Sequence, residues 1–145
     1  MTILQPQRGG IPRPDPTPVS RPFWDGCVVG ELRYQRCRTC GHAEFDPAWI
    51  CRVCGGDDLD WQLSCGTGEV YSYTVVRRPQ TPEFDSPYVV VIVSFDEGFS
   101  MLTNVIGCDL GDVHVGMRVR VCFHDIGEGV HLPYVEPVVK GNHGN

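Results

Sequence analysis

The sequence predicts a mainly β protein, and three observations predict it. Two closely spaced cysteine pairs mark a small cross-linked module between residues 37 and 54. A period of two runs through much of the chain beyond residue 66, and only one stretch carries helix-start signals. With 145 residues, the chain is one moderate domain or two small units joined in series.

The first residues, 1–20, carry Pro6, Pro12, Pro14, Pro16 and Pro18 among few apolar side chains, which predicts an extended arm, mobile when free. Ser20 supplies a cap residue and Pro22 an early proline, so a short helix is expected over residues 21–33, with Phe23 and Trp24 as its anchors and Gly30 as its stop.

Next comes RCRTCGHAEFDPAWICRVCGG, in which Cys37-x-x-Cys40 and Cys51-x-x-Cys54 stand ten residues apart. A C-x-x-C-G knuckle turns the chain so that two sulfurs share one space, and Gly41 and Gly55 supply the permissive backbone for that turn. Two facing knuckles make the tetrahedral S4 set that Zn2+ prefers, so one structural Zn2+ per chain is expected on Cys37, Cys40, Cys51 and Cys54. Iron in a rubredoxin-like S4 site and a redox-active dithiol are the alternatives. Disulfides are disfavoured because no secretory signal opens the chain. A ribbon over residues 34–63 is too small to bury a core, so metal binding would supply its folding energy.

Beyond Gly66-Thr67-Gly68 the pattern changes to strands. Glu69 to Val76 alternates, Tyr88 to Phe95 is almost continuously apolar as in a strand that is buried on both faces or central, and Asp96-Glu97-Gly98 turns into a third strand, Phe99 to Val105. A short helical turn is expected within residues 107–116. Met117 to Phe123 then places Met117, Val119, Val121 and Phe123 on one face and Arg118, Arg120, Cys122 and His124 on the other. A last strand runs near Tyr134 to Val139. Three meandering strands, an interruption and two further strands fit a five-stranded OB-fold barrel over residues 64–139, with a disordered tail at 140–145.

A formal net charge of −6 repels phosphate backbones unless basic residues gather on one patch. From Gly66 to Val139 only Arg77, Arg78, Arg118 and Arg120 face ten acidic residues. A single-stranded nucleic-acid-binding module, which OB barrels and ribbons both can build, is therefore the alternative and not the leading function. No apolar run approaches a membrane span, and a cytoplasmic location is expected.

Independent catalysis has weak footing. Cys122 and His124 share a strand face but read as a packed cysteine beside a surface histidine. Cys27, Cys65 and Cys108 read as small hydrophobes, Asp96 with Glu97 as a hairpin, and His42, His114, His131 and His143 show no metal spacing. Arg36, Arg38 and Arg52 flank the knuckles, where they would compensate the charge of a Zn(Cys)4 centre or meet phosphates. For Arg77, Arg78, Arg118 and Arg120 a solvated face competes with partner contact.

Taken in order, the Pro-Phe-Trp helix, the two C-x-x-C-G knuckles, Trp-Gln-Leu, Gly-Thr-Gly-Glu-Val-Tyr-Ser-Tyr-Thr-Val-Val-Arg-Arg-Pro and Val-Gly-Met-Arg-Val-Arg-Val resemble the DUF35 family. The resemblance covers about Arg21 to Val139. It implies a short N-terminal helix, a rubredoxin-like zinc ribbon and an OB-fold barrel. It also implies a non-catalytic partner of a thiolase-superfamily enzyme, either a thiolase or a lipid-transfer-protein-like aldolase, that helps hold acyl-CoA. In steroid side-chain degradation such a domain accompanies a MaoC-type hydratase. The same resemblance makes Arg36, Arg38, Arg52, Arg77, Arg78, Arg118, Arg120, Phe23 and Trp24 the candidates for acyl-CoA or partner contact.

Overall fold

In the computed structural model, which describes residues 2–138, two sheets are joined by aromatic packing. The first is a three-stranded ribbon in the order β2-β1-β3, from β1 (Arg33–Cys37), β2 (Ala43–Glu44) and β3 (Leu59–Leu63). The second is a closed barrel in the order β4-β5-β6-β8-β7, from β4 (Thr67–Val76), β5 (Tyr88–Phe95), β6 (Ser100–Val105), β7 (Arg118–Asp125) and β8 (His131–Pro137). A meander of three strands, a 3-10 turn at Leu110–Asp112 and a returning pair give the expected five-stranded barrel. Closure comes from β4 against β7 and from one parallel pairing, Val105 with Val135. Among the described residues no helix is long and apolar enough to cross a membrane.

The barrel core follows from alternation. On β5, Val89, Val91, Val93 and Phe95 point inward and are buried, while Tyr88, Val90, Ile92 and Ser94 are half-covered. Of the two expectations for this strand, the central place holds, since β5 lies between β4 and β6, while burial on both faces does not, because a small closed barrel has only one interior. On β4 the pairing skips Tyr71, so Val70 faces Val93 and Ser72 faces Ile92. This bulge reverses the phase of the strand: Gly68 and Val70 face inward before it, and Tyr73 and Val75 share the side of Val91 and Val89 after it.

Glycine is required where β4 enters the barrel. A Cβ on Gly68 would sit 2.4 Å from the Ser94 carbonyl oxygen and 2.9 Å from Phe95 Cα. Strands β4 and β5 approach too closely there for any side chain.

The helix α1 spans Arg21–Val28 and is shorter than the expected 21–33. Val29 and Gly30 close it with hydrogen bonds to Gly26 and Cys27 carbonyls, Gly30 takes φ +78°, and Leu32 is buried outside the helix while Arg33 already belongs to β1. Ser20 precedes the helix, but its Oγ accepts the Thr17 N–H in place of capping α1.

The N-terminal arm corrects an expectation. It is extended but docked: Leu4 N–H donates to the Cys108 carbonyl, Gly107 N–H donates back to Leu4, and Leu110 N–H donates to Thr2. Leu4, Gln7 and Ile11 are buried, and Gln7 N–H donates to the Tyr134 hydroxyl. Three spaced buried side chains and a strand-like ladder hold the segment, and Pro6 between the first two, with Pro12 just after the third, lowers the entropy that docking must overcome. The tail at 140–145, with the last barrel residue Val139, lies outside the described residues.

An aromatic column joins the parts. Phe95 of the barrel stacks on Phe99 at 4.9 Å, Phe99 on Tyr34 of the ribbon at 4.7 Å and on Phe45 at 6.0 Å. Phe45 meets Phe23 of α1 edge-on at 5.2 Å, and Phe23 meets Trp24 at 4.8 Å. Aromatic contacts of this kind add about 0.5–1.5 kcal/mol each beyond area burial.

Candidate functional site

The two knuckles converge. The Sγ atoms of Cys37, Cys40, Cys51 and Cys54 all lie within 4.8 Å of one another, with Cys37 to Cys54 and Cys40 to Cys51 both 3.6 Å apart. A tetrahedron with metal–sulfur bonds of about 2.3 Å has sulfurs about 3.8 Å apart, so the donor set fits Zn2+. Each knuckle is closed the same way: Gly41 N–H donates to the Cys37 carbonyl and Gly55 N–H to the Cys51 carbonyl, with φ +81° and +76°. Backbone N–H groups of Val53 and Gly56 point at the sulfurs of Cys51 and Cys54, both at 3.4 Å.

The electrostatics ask for a cation. The backbone N–H of Cys40, followed by other donors, pulls Cys37 down to about 6. The His42 N–H favours the thiolate of Cys40, yet desolvation and the crowding of Cys51, Cys37 and Cys54 outweigh it and push Cys40 up to about 12. Cys51 is lowered, first by the Cys54 N–H; Cys54 accepts the Gly56 N–H but is raised on balance by Cys37 and desolvation. Four thiolates this close ionise together only around a metal. His42 turns to Glu44 at 3.2 Å, away from a ligand role.

The arginines beside the knuckles are already engaged. Arg36 donates to the Gly41 carbonyl at 2.8 Å, to the Tyr34 hydroxyl at 3.1 Å and to the Glu97 carbonyl at 3.3 Å, and lies over the Tyr34 ring. Arg38 pairs with Asp60 at 3.0 Å and Asp58 at 3.6 Å, and Arg52 with Glu44 and Asp46 at 3.7 Å. On the barrel, Arg118 forks onto Asp96 at 2.9 and 3.0 Å, and Arg120 meets Glu136 at 3.2 Å. Arg77 and Arg78 are exposed at the end of β4 and have no carboxylate partner among the described residues.

Phe23 and Trp24 come together at a cleft that no sequence pattern marked. It encloses about 400 Å³ where α1, the ribbon loop Phe45-Asp46-Pro47, β6 and β8 meet. Leu102, Thr103 and Leu132 line its barrel side, Phe84 and the arm residue Gln7 its rim, and Asp46 is its one carboxylate. A second unmarked feature is the exposed trio Trp49, Ile50 and Val53 on the second knuckle. The Trp-Ile pair stood within the cysteine motif, but a tetrahedron of sulfurs says nothing of which flanking side chains face water.

The cysteines outside the centre separate by environment. Desolvation pushes Cys122 up to about 11 and Cys27 up to about 12, so neither is a nucleophile at neutral pH. Cys65, expected to pack as a small hydrophobe, is exposed, with its N–H and its Sγ turned to the Glu97 carboxylate and the Thr67 hydroxyl.

Residues 24–60 match the family model described as ChsH2, rubredoxin-like zinc ribbon domain, and residues 61–124 match ChsH2, C-terminal OB-fold domain. A DUF35 domain-containing scaffold protein of Methanocaldococcus jannaschii is 33% identical over 104 residues, 70% of this chain and 71% of that protein. The chain belongs to the DUF35 family. Among solved structures, this DUF35 chain is similar to one in the Ltp2-ChsH2(DUF35) aldolase, with TM-score 0.80 and 32% identity over 88% of this chain and all of that one. A probable enoyl-CoA hydratase alpha subunit of Thermomonospora curvata is 35% identical over 118 residues, 81% of this chain but 37% of that protein. This DUF35 chain thus spans little more than a third of that longer relative.

Proposed function

We propose that this DUF35 protein is a non-catalytic accessory subunit that binds a thiolase-superfamily enzyme, a thiolase or a retro-aldolase, and contributes to holding its acyl-CoA. The observation that carries the reading is the likeness, at 32% identity over 88% of this chain, to a chain within the Ltp2-ChsH2(DUF35) aldolase. The scaffold name of the archaeal relative supports the same role. The hydratase name of the longer relative supports an acyl-CoA context and a MaoC-type hydratase as a further associate. In this reading the acyl group is of the steroid side-chain kind.

Cys37, Cys40, Cys51 and Cys54 would hold one Zn2+. With four protein ligands it supplies folding energy and no open position for substrate. Carbon–carbon chemistry then belongs to the partner, in keeping with a Cys122 thiol that stays protonated at neutral pH. A nucleic-acid module would need a groove of free cations along the barrel; Arg118 and Arg120 are bound to Asp96 and Glu136, and the adjacent Arg77 and Arg78 make a single step, not a groove.

Coexpression with a thiolase-like enzyme, followed by size exclusion and turnover assays, tests the reading. Copurification at a fixed ratio and loss of partner activity without this chain are expected. Failure to copurify, with the partner equally active alone, would sink it.

A further inference from the structure

The apolar cleft and the Arg77–Arg78 pair are both unclaimed by internal contacts. Arg36, Arg38, Arg52, Arg118 and Arg120 are each held by a carboxylate or a carbonyl, which leaves Arg77 and Arg78 as the adjacent cations open to an outside anion.

The two features are connected through the start of β5 and the loop before it. Val76, next to Arg77, is the Cα partner of Tyr88 across β4 and β5. The Tyr88 ring lies 6.1 Å from that of Phe84, and Phe84 lines the cleft. The loop between them is anchored to the arm, because Asp85 exchanges two hydrogen bonds with the Gln7 side chain, at 2.7 and 3.1 Å, and pairs with Arg8. Its carboxylates are turned to other partners: Asp85 to Arg8, and Glu83 to Thr81. A cationic step beside an apolar, aromatic-walled cleft suits a ligand with a phosphorylated head and an uncharged tail.

We infer that Arg77 and Arg78 grip the phosphates of a nucleotide-linked acyl thioester whose acyl group enters the cleft between α1, β6 and β8. This rests on the acyl-CoA reading above and assigns it a place. Guanidinium groups suit the phosphates because their forked donors match phosphate oxygens. Phe23, Trp24 and Leu102 would cover the acyl chain.

Titration calorimetry on the zinc-loaded full chain tests the assignment, with octanoyl-CoA, CoA and octanoate as probes. The Arg77→Ala/Arg78→Ala variant is expected to bind octanoyl-CoA and CoA roughly tenfold more weakly or worse, with a flattened salt dependence. Leu102→Glu, on the exposed barrel side of the cleft, should weaken octanoyl-CoA and leave CoA unchanged, and Arg120→Ala, whose cation is already paired, should change neither. Equal binding by the double arginine variant overturns the placement while the acyl-CoA reading stands. No binding of octanoyl-CoA by the unmodified chain overturns the inference outright, and copurification with the partner reads the accessory role separately. Zinc content and a far-ultraviolet spectrum like the parent's establish that each variant is folded.

Discussion

Arg36 on the ribbon donates to the Glu97 carbonyl on the barrel at 3.3 Å, across 61 positions of sequence. The Glu97 carboxylate takes the Ser64 hydroxyl at 2.8 Å and the Cys65 N–H at 2.6 Å, so one hairpin residue ties the barrel to the ribbon strands β1 and to the exit of β3. Replacing it leaves the Cys65 N–H without its acceptor. Glu97→Ala should lower stability by about 1–3 kcal/mol, read from denaturant midpoints at pH 7.

The same carboxylates set an acid limit. Burial works against ionised Glu97, but the Cys65 and Ser64 donors outweigh it and hold it below the ordinary carboxylate range; Asp96 is held low by Arg118 and Thr67. A depressed folded pKa contributes stability that is complete above the unfolded value, about 4, and is lost as pH falls through the folded one. Between pH 7 and pH 3 the parent should therefore lose more stability than Glu97→Gln. Parallel loss in the two would show that the staple does not titrate.

Removing the metal should uncouple the knuckles. Cys51→Ser is expected to abolish stoichiometric zinc in metal analysis and to lower the thermal midpoint, since structural sites of this type supply binding energy as folding energy. Treatment with a strong chelator should change the near-ultraviolet signal of Trp49 and Trp61 in the same direction.

Gly68→Ala should be among the most damaging small substitutions. The new methyl meets backbone at 2.4 Å, and neither strand has a flexible group that can yield. A cost of about 1–3 kcal/mol, the range for overpacking, is expected from urea unfolding.

Thiol chemistry should fall outside the strand pair once considered for it. At neutral pH, alkylation of the zinc-loaded protein followed by peptide mass analysis should find label on exposed Cys65 and little on Cys122, whose thiol is pushed up to about 11. Rapid labelling of Cys122 would revive an independent cysteine activity.

The barrel and the metal knuckles were legible because each rests on a local rule. Strand alternation has period two wherever one face is buried, and C-x-x-C-G encodes its own turn. The bulge at Tyr71 was not legible, since it exists only against β5 and no residue on β4 announces it. The docked arm escaped because Leu4, Gln7 and Ile11 are scattered singly among prolines, and burial of single side chains depends on a surface folded elsewhere. Glu97 read as a turn residue because its donors lie more than thirty positions away. The cleft combines six segments, so it has no motif at all.

The aromatic column from Phe95 through Phe99, Tyr34 and Phe45 to Phe23 has a bearing on association. A partner that seats on the exposed knuckle residues Trp49, Ile50 and Val53 meets a surface whose angle to the barrel is already fixed. Docking then freezes few internal motions, and the entropic toll on complex formation falls mainly on the overall tumbling of two bodies. In such a complex the chain would work as a carpenter's square, setting a partner on one arm at a constant angle to whatever lies against the other.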